Sequence, residues 1–97
     1  MVLKLQDETL LRADAYVGGA WKGAKSGGRF PVTNPATGAT LAEVANLDAE
    51  DVRAAIDVAN AALPAWRAKT AKERAALMRK WYELIMANQD DLARLMT

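Results

Sequence analysis

Histidine and cysteine are both absent from this chain of 97 residues. Without cysteine there is no disulfide framework, no thiolate nucleophile and no thiolate metal ligand. Without histidine there is no Ser–His relay, no imidazole general base and no imidazole metal ligand. The two absences exclude these kinds of catalytic and metal site from the chain.

Long apolar runs and an excess of charge of one sign are missing as well. No segment approaches the roughly 20 apolar residues of a membrane-spanning helix. Residues 1–11 mix Lys4 with Asp7 and Glu8, which is not the pattern of a signal peptide. The formal net charge is +1, from 13 Lys and Arg against 12 Asp and Glu. We therefore expect a cytoplasmic chain with neither nucleic acid nor a membrane as its partner.

Large apolar side chains are fewer than the composition suggests. Hydrophobic residues make up 52% of the chain, but 21 of them are alanine. The length allows one domain at most, and the remaining apolar residues give an independent core only a thin margin.

The first half of the sequence has the pattern of two β-hairpins. Short β-prone runs flank Gly18-Gly19, and a two-residue turn needs the positive φ that glycine supplies. A second strand is expected over 29–34, where Pro31 favours an edge position. The turn of residues 34–38 then leads into a returning strand over 40–45.

The second half has helical periodicity. A capping pattern at Asp48 begins a helix whose apolar stripe consists of Val52, Ala55, Ile56, Ala59 and Leu63. Proline in a helix lacks a donor and clashes with the preceding turn, so Pro64 predicts an end near Leu63. Trp66 is then expected just beyond, in the gap between helices. A shorter helix is expected at Asp7–Ala13.

A second capping box, Thr70 to Glu73, begins a long helix that should end near Ala87 or Asn88. Its apolar stripe consists of Leu77, Trp81, Leu84 and Ile85, widened by Met78 and Tyr82. This places Trp81 in a core. Asp90-Asp91 begins a final helix that reaches Thr97 without a stop signal. We therefore expect the natural polypeptide to continue beyond Thr97.

Three features of the sequence could carry chemistry. The carboxylate pairs Glu50-Asp51 and Asp90-Asp91 point about 100° apart on a helix, so each suits a helix N-terminus better than a catalytic dyad. Gly18-Gly19 and Gly27-Gly28 lack the spacing and the following helix of a phosphate loop. Turn geometry explains both pairs.

The third feature is a basic cluster of Arg67, Lys69, Lys72, Arg74, Arg79 and Lys80, interleaved with Trp66, Trp81 and Tyr82. Cations with stacking aromatics can bind single-stranded nucleic acid. The bases do not share one helical face, however, and the whole chain is nearly neutral. From the residues we predict no catalytic, cofactor-binding or metal-ligating side chain.

The order of motifs nevertheless resembles a known family. Val-Gly-Gly-Ala-Trp at 17–21 precedes Val-Thr-Asn-Pro-Ala-Thr-Gly at 32–38, then Pro-Ala-Trp-Arg at 64–67 and Thr-Ala-Lys-Glu-Arg at 70–74. The chain ends on Gln-Asp-Asp-Leu-Ala-Arg-Leu-Met-Thr. This set resembles the N-terminal segment of NAD(P)-dependent aldehyde dehydrogenases over essentially all 97 residues. The sequence of residues 57–97 is most similar to that of bacterial succinate-semialdehyde dehydrogenases.

The resemblance implies an α+β segment of two short β-hairpins followed by three helices. Residues 1–97 would be the N-terminal part of the dinucleotide-binding domain in a larger α/β Rossmann-like fold. The full enzyme would oxidise a small aldehyde to a carboxylic acid with NAD or NADP, through a Cys thioester. It would act as a homo-oligomer, a dimer or a tetramer.

In the family, the catalytic and cofactor-contacting residues lie downstream of position 97. The resemblance therefore implies a scaffold that binds no cofactor alone, is inactive alone, and packs on the rest of its own chain. The alternative that the residues leave open is a stand-alone α+β protein-interaction module, which would use the same apolar helix faces.

Overall fold

A computed structural model describes residues 3–97, which form two small sheets and three helices. A 3-10 turn covers Glu8–Leu10. The strands are β1 (Ala15–Val17), β2 (Ala20–Lys22), β3 (Arg29–Thr33) and β4 (Thr40–Ala45), and the helices are α1 (Ala49–Ala68), α2 (Ala71–Ala87) and α3 (Gln89–Met96). The expected order of two hairpins followed by three helices is confirmed.

The first hairpin pairs β1 with β2 through a two-residue turn. Gly18 and Gly19 have φ values of 61° and 80°, a conformation that disfavours residues with a Cβ atom. The register places Tyr16 opposite Trp21, and their rings lie 4.9 Å apart. The prediction from the glycine pair is confirmed.

The second hairpin pairs β3 with β4. Gly38, at φ 75°, closes the turn by donating its N–H to the Asn34 carbonyl at 2.7 Å. Pro31 lies opposite Glu43, in a sheet of only two strands, so the expected edge position is confirmed. The side chains of Arg29 and Asp14 form an ion pair at 2.8 Å, which ties β3 to the segment before β1.

The helix expected at Asp7–Ala13 is wrong beyond Leu10. Only Glu8–Leu10 is helical, and Leu11 already has an extended backbone with φ −80° and ψ 108°. The Ala13 carbonyl accepts a hydrogen bond from the Ala45 N–H at 2.8 Å. Pairing with the end of β4 therefore takes the place of a helical turn.

Helix α1 begins at a capping box. The Asp48 carboxylate accepts the Asp51 N–H at 2.9 Å, and the Asp51 carboxylate accepts the Asp48 N–H at 3.2 Å. Two of the donors that a helix start leaves free are thus satisfied. The start expected from the sequence is confirmed.

The end expected for α1 is wrong. The helix continues through Pro64 to Ala68, and Lys69 closes it by donating to the Trp66 carbonyl at 3.2 Å. Proline removes one N–H donor and strains one turn, but it does not prevent a further turn from closing. Asn60, whose carbonyl loses that donor, is exposed to water. Trp66 therefore belongs to α1 itself.

Helix α2 begins where the second capping box predicts. Thr70 Oγ1 accepts the Glu73 N–H and the Glu73 carboxylate accepts the Thr70 N–H, each at 3.1 Å. The Thr70 backbone and hydroxyl bonds hold the pKa of Glu73 below its usual value. Asn88 alone separates α2 from α3, which confirms both boundaries.

Residues 3–97 do not enclose a hydrophobic core. None of their hydrophobic side chains is buried. The accessible surface is 7746 Å², against about 5400 Å² for a compact monomer of this mass. The radius of gyration is 16.6 Å, against about 12.5 Å for a compact domain of this length. The elements are well specified locally but do not enclose one another.

We expect Thr70→Ala to destabilise the start of α2 by about 1 kcal/mol, because the Glu73 N–H loses its acceptor. Hydrogen exchange in the complete protein that contains this chain should report it, as faster exchange over residues 71–75. Thr70→Ser keeps the hydroxyl and is the matched control. Equal exchange in the two variants would contradict the capping role.

We also expect the isolated 97-residue chain to unfold without a cooperative transition, because it encloses no apolar core. Calorimetry should show no sharp heat-absorption peak, and a dye that binds exposed apolar surface should fluoresce before any heating. A sharp peak without dye binding would show that the chain folds by itself.

Candidate functional site

Helix α1 carries two apolar faces. One packs on the first hairpin, where Ala54, Ala55 and Val58 line a groove with Val17 of β1. A Cβ atom built on Gly18 would lie 3.2 Å from Val58 Cγ1, so the turn sits tightly against this helix. The hairpin covers this face of α1 only in part, because Val58 is still 38% exposed.

The large side chains of the apolar stripe predicted for α1 lie on its other face, about 140° around the helix from Val58, whereas Ala55 lies next to the hairpin. Val52, Ile56 and Leu63 remain 48%, 60% and 48% exposed, and Trp66 extends the stripe. The stripe is real, but within residues 3–97 no element covers it. The hairpin meets Ala54, Ala55 and Val58, and of these three the periodic pattern singled out only Ala55.

Helix α2 leaves its apolar stripe open to a similar degree. Its large apolar side chains are between 41% and 62% exposed: Leu77, Met78, Trp81, Tyr82, Leu84, Ile85 and Met86. Trp81 is 59% exposed, so its expected core position is wrong within this chain. The α1 stripe (Val52, Ile56, Leu63 and Trp66) and these α2 side chains are together called the open faces below.

The basic cluster does not form a continuous surface. Arg79 lies 3.5 Å from the Glu83 carboxylate, and its guanidinium carbon is 4.9 Å from the centre of the Tyr82 ring. Arg74, on an earlier turn, is half-buried. The geometry supplies no row of cations and stacking rings, and the absence of a nucleic-acid partner stays a prediction.

Of the carboxylate pairs, only one member is buried. Asp51 serves as the third residue of the α1 capping box. Asp91 is 6% exposed and accepts two backbone N–H groups, from Gln6 at 2.8 Å and from Asp7 at 2.9 Å. These two bonds hold the pKa of Asp91 below its usual value, and the bond from Gln6 has the larger effect.

Sequence reasoning missed this role of Asp91. It assigned the residue to the N-terminal turn of α3, which is correct, and inferred from that a charge facing the helix dipole. The carboxylate instead binds a segment 84 and 85 residues earlier in the chain. Its partners are backbone amides, which leave no side-chain signal in the sequence.

No arrangement suited to metal binding occurs in residues 3–97, where no three carboxylates gather closely enough to hold an ion. Gly18-Gly19 forms the β1–β2 turn, and Gly27, at φ 77°, ends a turn in which its N–H donates to Ala24. The interactions that this region can make are apolar packing and hydrogen bonds from side chains to backbone groups. That no catalytic or cofactor-binding residue lies in the chain stays a prediction.

None of the three helices in the described part of the chain is both long enough and apolar enough to cross a membrane.

Comparison with known proteins agrees with the order of elements. The sequence profile described as "Aldehyde dehydrogenase family" matches residues 21–97. The NADP(+)-dependent succinate-semialdehyde dehydrogenase of Escherichia coli (strain K12) is 55% identical over 98% of this chain and 20% of its own length. A glutarate-semialdehyde dehydrogenase of Pseudomonas putida is 52% identical over the same shares.

A solved structure gives the same picture in three dimensions. The crystal structure described as an E. coli NADP-dependent enzyme superposes with a TM-score of 0.94 at 55% identity, over 97% of this chain and 20% of that one. The chain thus spans about a fifth of the length of these relatives, at their N-terminal end. With a profile match over most of its residues, it belongs to the aldehyde dehydrogenase family.

Proposed function

We propose that this chain is the N-terminal part of an NADP-dependent dehydrogenase that oxidises succinate semialdehyde to succinate. The observation that carries the proposal is the 55% identity, over 98% of the chain, to an enzyme named for that reaction. NADP would accept a hydride from the aldehyde carbon in the complete enzyme.

Within that enzyme, residues 1–97 would be the N-terminal part of the dinucleotide-binding domain, and they would serve as scaffold. The open faces support this role, because apolar stripes on helices are stable only when another element covers them. We propose that the remaining part of the same polypeptide covers them. The excess surface of the chain, roughly 2300 Å², has the size of a permanent interface rather than a transient one.

The catalytic groups would lie outside this chain. Residues 1–97 contain no cysteine for a thioester and no histidine. By its family resemblance the complete enzyme would supply a Cys nucleophile, a Glu that activates water and an Asn that stabilises the oxyanion. We propose further that the complete enzyme is a homo-oligomer, a dimer or a tetramer, and that it is located in the cytoplasm.

Two substrates compete for the assignment. Succinate semialdehyde and glutarate semialdehyde differ by one methylene, and relatives named for each are 55% and 52% identical to this chain. One methylene changes the specificity of a binding pocket by about 10- to 200-fold at most. The pocket would lie outside these residues, so only turnover can separate the two.

A stand-alone interaction module is the second candidate. The same open faces favour it, since exposed apolar patches on this scale mark sites where another macromolecule binds. It differs from the first proposal in requiring that the isolated chain be folded.

We expect the complete protein that contains this chain to reduce NADP when given succinate semialdehyde. Spectrophotometric assays with each semialdehyde, each paired with NADP and with NAD, should give the highest kcat/KM for succinate semialdehyde with NADP. The isolated 97-residue chain is the control and should give no turnover. Activity in that control would refute the scaffold role, and higher kcat/KM for glutarate semialdehyde would reassign the substrate.

We expect Ile56→Ala to destabilise the complete protein by about 2–5 kcal/mol, although Ile56 is 60% exposed within this chain. The reason is that its side chain would be covered by the rest of the polypeptide. Thermal unfolding should show a clear drop in the transition temperature.

Asp57→Ala, at an exposed position about 120° around the same helix from the centre of the stripe, is the matched control and should change stability by less than about 0.5 kcal/mol. An equally small effect of Ile56→Ala would mean that the α1 stripe stays open to solvent, as the interaction module requires.

A further inference from the structure

Few local interactions hold the corner between α2 and α3. Only Asn88 separates the two helices, and its backbone, at φ −113° and ψ 22°, departs from helical geometry. The Asn88 side-chain amide donates backwards to the Leu84 carbonyl at 2.9 Å, and it does not cap α3. Helix α3 therefore begins without a side-chain cap.

Helix α3 is also short. Eight residues form about two turns, which are marginal without tertiary contacts. Such contacts must come from elsewhere in the chain, and the extended residues before β1 provide them. Residues 3–10 are called the strap below.

One side of α3 captures the backbone of the strap at three points. The two oxygens of Asp91 accept the N–H groups of Gln6 and Asp7. Arg94, one turn further, donates to the Lys4 carbonyl at 3.1 Å. Residues three apart lie on the same helix face, so both side chains reach the strap from one direction.

The far end of the strap reaches α2. The Asp7 carboxylate accepts the Thr9 N–H at 3.0 Å, which starts the 3-10 turn directly after the captured amides. This turn brings Leu10 into a groove shared with Leu84 and Ile85 of α2 and Leu92 of α3. The strap thus bonds to α3 and borders the groove between the two helices that form the corner.

We infer that the strap clamps the α2–α3 corner, and that the Asp91 carboxylate is the latch that holds the strap in place. Asp91 is suited to this task because an ionised carboxylate only accepts hydrogen bonds, and both of its oxygens face donors. Its burial at 6% exposure, among residues 3–97 whose hydrophobic side chains stay accessible, means that water competes little for those bonds.

The latch can be tested with substitutions at adjacent positions. Asp91→Asn would turn an amide NH₂ group towards one of the two N–H donors, so that one hydrogen bond is lost and two donors face each other. Asp90→Asn removes the same charge from the same helical turn, but Asp90 is exposed and makes no hydrogen bond to the strap among the described residues. Asp91→Glu keeps the carboxylate on a longer side chain.

We expect hydrogen exchange in the complete protein to quicken about tenfold in Asp91→Asn, over both residues 3–10 and residues 88–97. Asp90→Asn should exchange like the parent protein, and Asp91→Glu should fall between the two. Unchanged exchange over residues 15–45 in all three variants would exclude general unfolding as the cause.

Equal exchange in Asp91→Asn and Asp90→Asn would overturn the latch. Faster exchange in the strap with unchanged exchange over residues 88–97 would overturn the clamp, because α3 would then keep its structure without the strap. Neither readout depends on substrate or cofactor, so the inference can fail while the proposed function stands.

Discussion

Uncovered apolar surface governs this molecule, because none of the hydrophobic side chains of residues 3–97 is buried. Burial of apolar area is the main favourable term in folding, and here it is left largely unrealised. The helix faces that should supply it remain about half exposed and enclose no shared interior. The fold of the chain is therefore a set of correctly formed pieces that need a further surface for their stability.

The pieces are defined by short-range contacts. Glycines with positive φ make both hairpin turns, and reciprocal capping boxes begin α1 and α2. Such contacts fix where an element begins, but each contributes little to the free energy of unfolding. A few long-range polar contacts, among them those of Asp91 and Arg94 with the strap and that of Arg29 with Asp14, join the pieces.

What the sequence could predict follows the same division. Turns and capping boxes are local, and the hairpins, the helix starts and the end of α2 were predicted correctly. The errors arose where the structure depends on a contact between distant residues, on the small net cost of a proline inside a helix, or on whether another element covers an apolar face. Ala13 pairs with Ala45 instead of extending a helix, α1 continues through Pro64, and Trp81 is exposed.

The capture of the strap by Asp91 could not be predicted from the sequence for another reason. Its donors are backbone N–H groups, which almost every residue has, so no residue type signals them. Chemistry was predicted mainly by exclusion, from the missing His and Cys. The family, by contrast, followed from the order of whole motifs, and the profile match over residues 21–97 agrees with it.

The central claim is that the open faces of α1 and α2 are contact surfaces for the rest of an aldehyde dehydrogenase polypeptide. Hydroxyl-radical footprinting of the complete protein tests it most directly, through the oxidation rates of Met78 and Trp81. These side chains are 50% and 59% exposed within this chain. Strong protection of both is the expected result. Oxidation at the rates of free, solvated side chains would contradict the account.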